Sequence, residues 1–182
     1  MILLRMLIVF GLLTTPAFAA GRGSFPANRQ EEGVNFQLQG AGAKYVVFIK
    51  VFVAGFYLGE KSSAKDALQD VPKKLEVAYS QSIPAERLAK ETRQRIWANV
   101  GDAEYQRLKS RIDKMDNYFV NIKPGDHYAL TYIPGQGTRF TYNDDLMGTI
   151  EGEDFARGLF SVWVGKKPID PNLKAALLGV NR

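Results

Sequence analysis

Tyr45-Val46-Val47-Phe48-Ile49-Lys50-Val51-Phe52-Val53-Ala54-Gly55-Phe56-Tyr57-Leu58 is the stretch that decides the fold. Almost every residue in it is β-branched or aromatic. Such side chains pack well on a pleated surface and lose rotamer freedom in a helix. Gly55 weakens a helical reading further. The stretch reads as one long strand, or two, covered on both faces. Upstream, Val34-Asn35-Phe36-Gln37-Leu38-Gln39 alternates apolar and polar residues, the period-two mark of a half-buried strand. Gly40-Ala41-Gly42 reads as an interruption between the two.

Downstream, Ser62 to Leu68 reads as a short capped helix, and Lys74 to Tyr79 as a strand with Leu75, Val77 and Tyr79 on one face. Pro84 opens a helix whose Leu88, Thr92, Ile96 and Val100 share one side. Gly101-Asp102 separates it from a second helix, in which Tyr105, Leu108, Ile112, Met115 and Phe119 recur at spacings of three and four. A joint that short predicts an antiparallel pair. Three strands follow: one around Tyr128, Leu130 and Tyr132, one over 138–142 and one over 146–150. Turns at 134–137 and 143–145 join them into an antiparallel meander. The chain then reads as a helix from Asp154 to Val164, stopped by Gly165, and a short one from Pro171 to Gly179. Strands, a helical pair, strands and helices in that order predict an α+β fold: one antiparallel sheet with helices segregated on one face.

The N-terminus carries Arg5, the apolar run 6–13, Pro16 and the small-residue triplet Ala17-Phe18-Ala19. This is the charged, apolar and A-x-A order of a signal peptide over residues 1–19. Residues 20–182 are then expected to be a single exported domain, periplasmic or secreted. The apolar run falls short of the ~20 residues that a membrane span needs, so no stable membrane span is expected after cleavage. The chain has no cysteine, which excludes a lipid-modified N-terminal cysteine and any disulfide. Losing Arg5 takes the formal charge from +5 to +4. Lysines and arginines are mixed with acids, as in Lys90-Glu91, and no basic stripe interleaves with aromatics, so no nucleic-acid partner is expected.

With no cysteine and one histidine, a thiolate, zinc-finger or multi-histidine metal site cannot be built. No Walker loop, dinucleotide fingerprint or Gly-x-Ser-x-Gly elbow occurs. Neither cofactor nor metal is expected. His127 follows Gly125-Asp126 and reads as a solvated turn histidine. Lys44 precedes the apolar run and reads as a strand-end lysine reaching to water, while Lys50 interrupts the run and fits a rim position as well as a pocket. Arg157 points away from Phe155, Leu159 and Val162 on a helical wheel. Two readings stand for it: an exposed pair with Glu153 or Asp154, or a buried anion-reading guanidinium if the helix is covered on two sides.

From about residue 34 to 179 the chain resembles the chalcone isomerase-like proteins, specifically their bacterial secreted branch. Four segments carry the resemblance: 38–44, with its Gly40-Ala41-Gly42; 49–58; 148–165; and 168–174. The resemblance implies an open-faced β-sandwich, with helices layered on one face of a large antiparallel sheet and a ligand cleft between. The plant enzymes of the family close a chalcone into a flavanone. In this chain their arginine place falls at Lys44, which keeps the charge but loses the bidentate fork. Their strand threonine falls at Phe52, which has no donor. Their helix tyrosine and asparagine fall loosely near Arg87 and Gln94, and their late hydroxyl at Ser161 or Val162. With those donors replaced, chalcone isomerase activity is not expected, and no residue is assigned a catalytic role. Non-enzymatic relatives that bind fatty acids imply a binder of a small amphipathic ligand, with Lys44, Phe52, Arg157 and Ser161 as candidate ligand-binding residues. Two rivals stand beside it. One is an isomerase or lyase for an enone-type substrate, using Tyr57, Lys44 or Ser161. The other is an envelope interaction protein with a filled cleft. The sequence identifies neither ligand nor protein partner.

Overall fold

The structure is a computed structural model that describes residues 25–180; the expected leader over residues 1–19 lies outside them. Seven strands form one antiparallel sheet in which every strand pairs with its neighbours in sequence. They are β1 (Asn28–Glu31), β2 (Val34–Val46), β3 (Ile49–Gly59), β4 (Lys73–Tyr79), β5 (His127–Ile133), β6 (Gly137–Tyr142) and β7 (Asp145–Ile150). Helices α1 (Ala85–Val100) and α2 (Asp102–Asp116) enter between β4 and β5, which still pair with each other. Helices α3 (Glu153–Val164) and α4 (Pro171–Leu177) follow β7. The α+β architecture with helices on one face is as expected.

The decisive stretch divides in a way the sequence did not indicate. Of the two readings, one long strand or two, the stretch takes the second, and the break falls at Val47-Phe48. Val47-Phe48 is a two-residue turn, so Tyr45 and Val46 end β2 while Ile49 begins β3. Only the second half of the stretch is covered on both faces. Phe52, Ala54, Phe56 and Leu58 belong to the main core under the helices, and Tyr57 packs with Phe36 and Ile133 on the opposite face. Successive strand residues alternate faces, which puts Tyr57 opposite to Phe56.

Gly40-Ala41-Gly42 is likewise no interruption, since β2 runs through it with a bulge between Leu38 and Gly40. These glycines serve packing. A Cβ on Gly40 would collide with the Ala176 carbonyl oxygen, and one on Gly42 would lie 2.8 Å from the Ala176 Cβ. Bare backbone lets α4 lie directly against the strand. The expected helix at 62–68 shrinks to one 3-10 turn over Ala64–Asp66, where the Ser63 backbone N–H and hydroxyl donate to the Asp66 carboxylate.

Helix α3 is the centre of the helical layer, with Phe155, Ala156, Leu159, Phe160 and Val162 all buried. Its N-terminus is tied to α2 by a two-pronged pair, Arg111 Nη1 and Nη2 each 2.7 Å from an Asp154 oxygen. The outer face of the sheet is more polar. There Lys74 pairs with Glu31 and Glu76, and Arg29 reaches Glu76 at 3.0 Å.

Candidate functional site

A cavity of about 650 Å³ opens between the sheet and the helical layer. Its size falls within the roughly 300–1,000 Å³ of small-molecule sites. The sheet supplies Phe52, Val77, Tyr79, Leu130 and Phe140, all buried, and α3 supplies Leu159, Val162 and the half-buried Trp163. The exposed lining residues mark the mouth: Val46 and Ile49 from the β2–β3 hairpin, Gln81 and Ser82 after β4, and Arg87 and Gln94 from α1. The interior is therefore apolar and the entrance polar on one side. Phe52 packs edge-on against Tyr79 and Trp163, with ring centroids 5.7 and 5.6 Å apart. It gives the cavity an aromatic wall and no hydrogen bond.

Lys44 stands directly opposite Phe52 across β2 and β3, and both line the cavity. The Lys44 charge is already answered, because its Nζ donates to Asp170 at 2.6 Å. Asp170 also caps α4, accepting from the backbone N–H groups of Asn172 and Leu173 at 2.8 and 3.0 Å. Burial works to raise the Asp170 pKa, but the Lys44 ammonium and the two N–H donors outweigh it and hold the carboxyl below its usual range. Arg87 is engaged as well, by Glu91 one turn on at 2.9 Å.

The side chains of Gln81, Ser82, Thr92 and Gln94 make no hydrogen bond with a described residue, and two further lining groups are uncommitted in the same way. The half-buried Arg95 side chain makes no ion pair or hydrogen bond with any described residue. The Tyr79 hydroxyl has no hydrogen-bond partner among them either, although the residue is only 7% exposed. Burial pushes the Tyr79 pKa well above that of an ordinary phenol, with Tyr128 and Glu91 adding to the rise, so the group stays a neutral donor. A cation and a neutral O–H donor are groups of the kind that receive an acidic head group, and the aromatic and aliphatic walls suit a tail.

Arg157 and Ser161 do not line this cavity. Arg157 Nη1 lies 2.6 Å from Glu153 with the side chain 45% exposed, which is the exposed pair rather than the buried anion reader. Ser161 is buried within α3 and donates back to the Gly158 carbonyl at 2.6 Å. The helix turns Leu159, Val162 and Trp163 toward the cavity, and the hydroxyl between them points elsewhere. Tyr57 sits on the far face of the sheet, so Tyr57, Lys44 and Ser161 do not form one site. His127 begins β5, with its Nε2 3.1 Å from Asp144, beside a smaller polar hollow of about 420 Å³ that also borders Lys74 and Glu76.

Sequence reading missed Arg95 and Tyr79. Arg95 was legible in part: with Leu88 and Thr92 it forms an i, i+4, i+7 face of α1, and all three line the cavity. Tyr79 was placed on the correct strand face, but alternation says nothing about whether a phenol finds a partner.

The family profile described as chalcone isomerase-like matches residues 19–179. The chain belongs to the chalcone isomerase-like family. No curated protein matches it. Among solved structures it is similar to the crystal structure of an Arabidopsis thaliana fatty-acid binding protein, AtFAP1. The TM-score is 0.63 over 85% of this chain and 91% of that one, at 15% identity. That likeness shows a shared fold.

Proposed function

We propose that this protein is an exported, non-catalytic carrier that holds one small amphipathic acid, such as a fatty acid, in the cavity between sheet and helices. One observation carries the reading: an open apolar cavity of about 650 Å³ whose lining holds an uncommitted cation, Arg95, and an uncommitted phenol, Tyr79. A carboxylate bound there would accept from both. Lys44, shared with Asp170, stands at the rim as a secondary contact, and Phe52 packs on the tail. Fatty-acid binding by the structural neighbour supports the same class of ligand. A cavity of this size argues against a filled cleft. An enone isomerase would need several donors around one carbonyl oxygen, and Phe52 supplies none.

Protein purified from its native host and released under native mass-spectrometric conditions should carry a long-chain acid that denaturation frees. A bare mass, together with no fatty-acid binding by titration, would overturn the reading. For export we propose cleavage after Ala19. The mass of the purified chain should then correspond to an N-terminus at Ala20 in the periplasmic or secreted fraction, and an intact Met1 in the cytoplasm would contradict it.

A further inference from the structure

The tip of the β2–β3 hairpin is apolar and uncovered. Tyr45, Val46, Val47, Phe48 and Ile49 are 54, 53, 82, 93 and 59% exposed. Five consecutive large apolar residues at a projecting turn are costly in water. The turn is also unfavourable by local rules. Val47 has φ +57°, the left-handed region that glycine or asparagine takes readily and a β-branched residue avoids. A two-residue hairpin turn with positive φ at its first central residue alone favours glycine there, yet valine stands here. A residue that raises the energy of its own turn and exposes its side chain to water points to a partner for that side chain.

We propose that this tip inserts into the surface of an anionic lipid bilayer and sets the mouth of the cavity against it. Three further observations select lipid as the partner. Lys44 and Lys50 bracket the apolar tip, and the exposed Lys50 makes no ion pair among the described residues. Apolar residues flanked by lysines suit the boundary between acyl chains and phosphate head groups. Across the mouth, Arg87 pairs with Glu91 as Lys44 does with Asp170, which leaves Lys50 as the unpaired charge beside the mouth. The net positive edge complements an anionic surface and would repel a second copy presenting the same tip. Val46 and Ile49 belong to both the tip and the cavity lining, so apolar surface runs unbroken from the inserted turn into the cavity. No helix among the described residues is long and apolar enough to cross a membrane, so the contact is a docking of the hairpin turn.

Val47 and Phe48 do not line the cavity, which separates this inference from the identity of the ligand. The test uses the purified protein, its N-terminal residue fixed by mass, sedimented with vesicles of phosphatidylethanolamine and phosphatidylglycerol or of phosphatidylcholine alone. The wild type should bind the anionic vesicles and lose binding in high salt. The double substitution V47N/F48S should weaken partitioning at least about tenfold, while keeping the melting temperature and the fatty-acid titration measured without vesicles. Because the chain lacks cysteine, Phe48→Cys offers a single thiol for an environment-sensitive dye, which should shift to the blue on adding anionic vesicles. The proposal is overturned if the wild type stays in the supernatant, if V47N/F48S sediments as the wild type does, or if the substitution abolishes a dimer with no vesicle binding. A chain that docks on vesicles but takes up no fatty acid would retain this inference and remove the carrier reading.

Discussion

The Asp170 carboxylate joins two parts of the molecule that are far apart in sequence: one oxygen accepts from Lys44 Nζ at 2.6 Å and the other from the first backbone N–H groups of α4. It both caps the helix and fixes it to the edge of the cavity. Removing it should cost more than removing the lysine, because the cap and the pair are lost together. Asp170→Ala is expected to destabilise the fold by about 1–3 kcal/mol. Lys44→Ala should cost at most about 1 kcal/mol, since the pair is partly solvated. Urea denaturation of the two variants decides this, and equal losses would contradict the account. Because the folded carboxyl titrates below its unfolded value, its contribution is complete above about pH 4 and fades as pH falls through the lowered value.

Lys73 gives stability a dependence on pH at the alkaline end. The residue is 1% exposed, its Nζ lies 5.2 Å from the Tyr132 ring centre and 5.8 Å from that of Phe160, and it donates to the Gln69 carbonyl. Burial lowers its pKa to about 8, against the opposing pull of Glu153 and Asp70. The folded amine thus holds its proton less tightly than the unfolded one. Between about pH 8 and the ordinary lysine range the unfolded chain carries more protons, so stability rises with pH there. Below about pH 8 the full cost of the buried charge is present. Relative to Lys73→Met, the wild type should gain about 2 kcal/mol between pH 7 and pH 9.5. Denaturation midpoints across that range measure it, and parallel curves would contradict it.

Gly40 tests why α4 can lie on β2. Since any side chain there meets the Ala176 carbonyl oxygen, Gly40→Ala should force the helix outward and destabilise by about 1–3 kcal/mol. Gly33→Ala serves as a contrast: its φ of +75° strains the backbone, but nothing lies within 4 Å of the new methyl. Only the first should raise hydrogen exchange in Pro171–Leu177. A protected α4 in the Gly40 variant would show that bare backbone is not what seats it.

Much of the architecture was legible because it rests on periodicity. The alternation of Leu75, Val77 and Tyr79, and the three-and-four spacing of Leu108, Ile112 and Met115, follow directly from which face each element buries. The resemblance brought Lys44 and Phe52 to the cavity and misplaced Ser161, because one residue along a helix turns a hydroxyl by about 100°. The hairpin turn was hidden because Val47-Phe48 carries none of the residues that mark turns, and Gly40-Ala41-Gly42 misled because glycine there serves close packing. Arg95 was hidden by company. An arginine between Gln94 and Ile96 has the pattern of a solvated helix face, and only the cavity beside it makes it different.

The central claim is that Arg95 and Tyr79 receive the head group of an acidic amphipath. Calorimetric titration of a long-chain fatty acid into the protein and its variants tests it most directly. The wild type should bind one equivalent, and Arg95→Ala and Tyr79→Phe should each weaken binding about 10- to 100-fold, as expected for a lost hydrogen bond to a charged group. Arg157→Ala, which alters a surface pair outside the cavity, should bind as the wild type does. Unchanged affinity in both the Arg95 and the Tyr79 variants, or no binding by the wild type, would contradict the account.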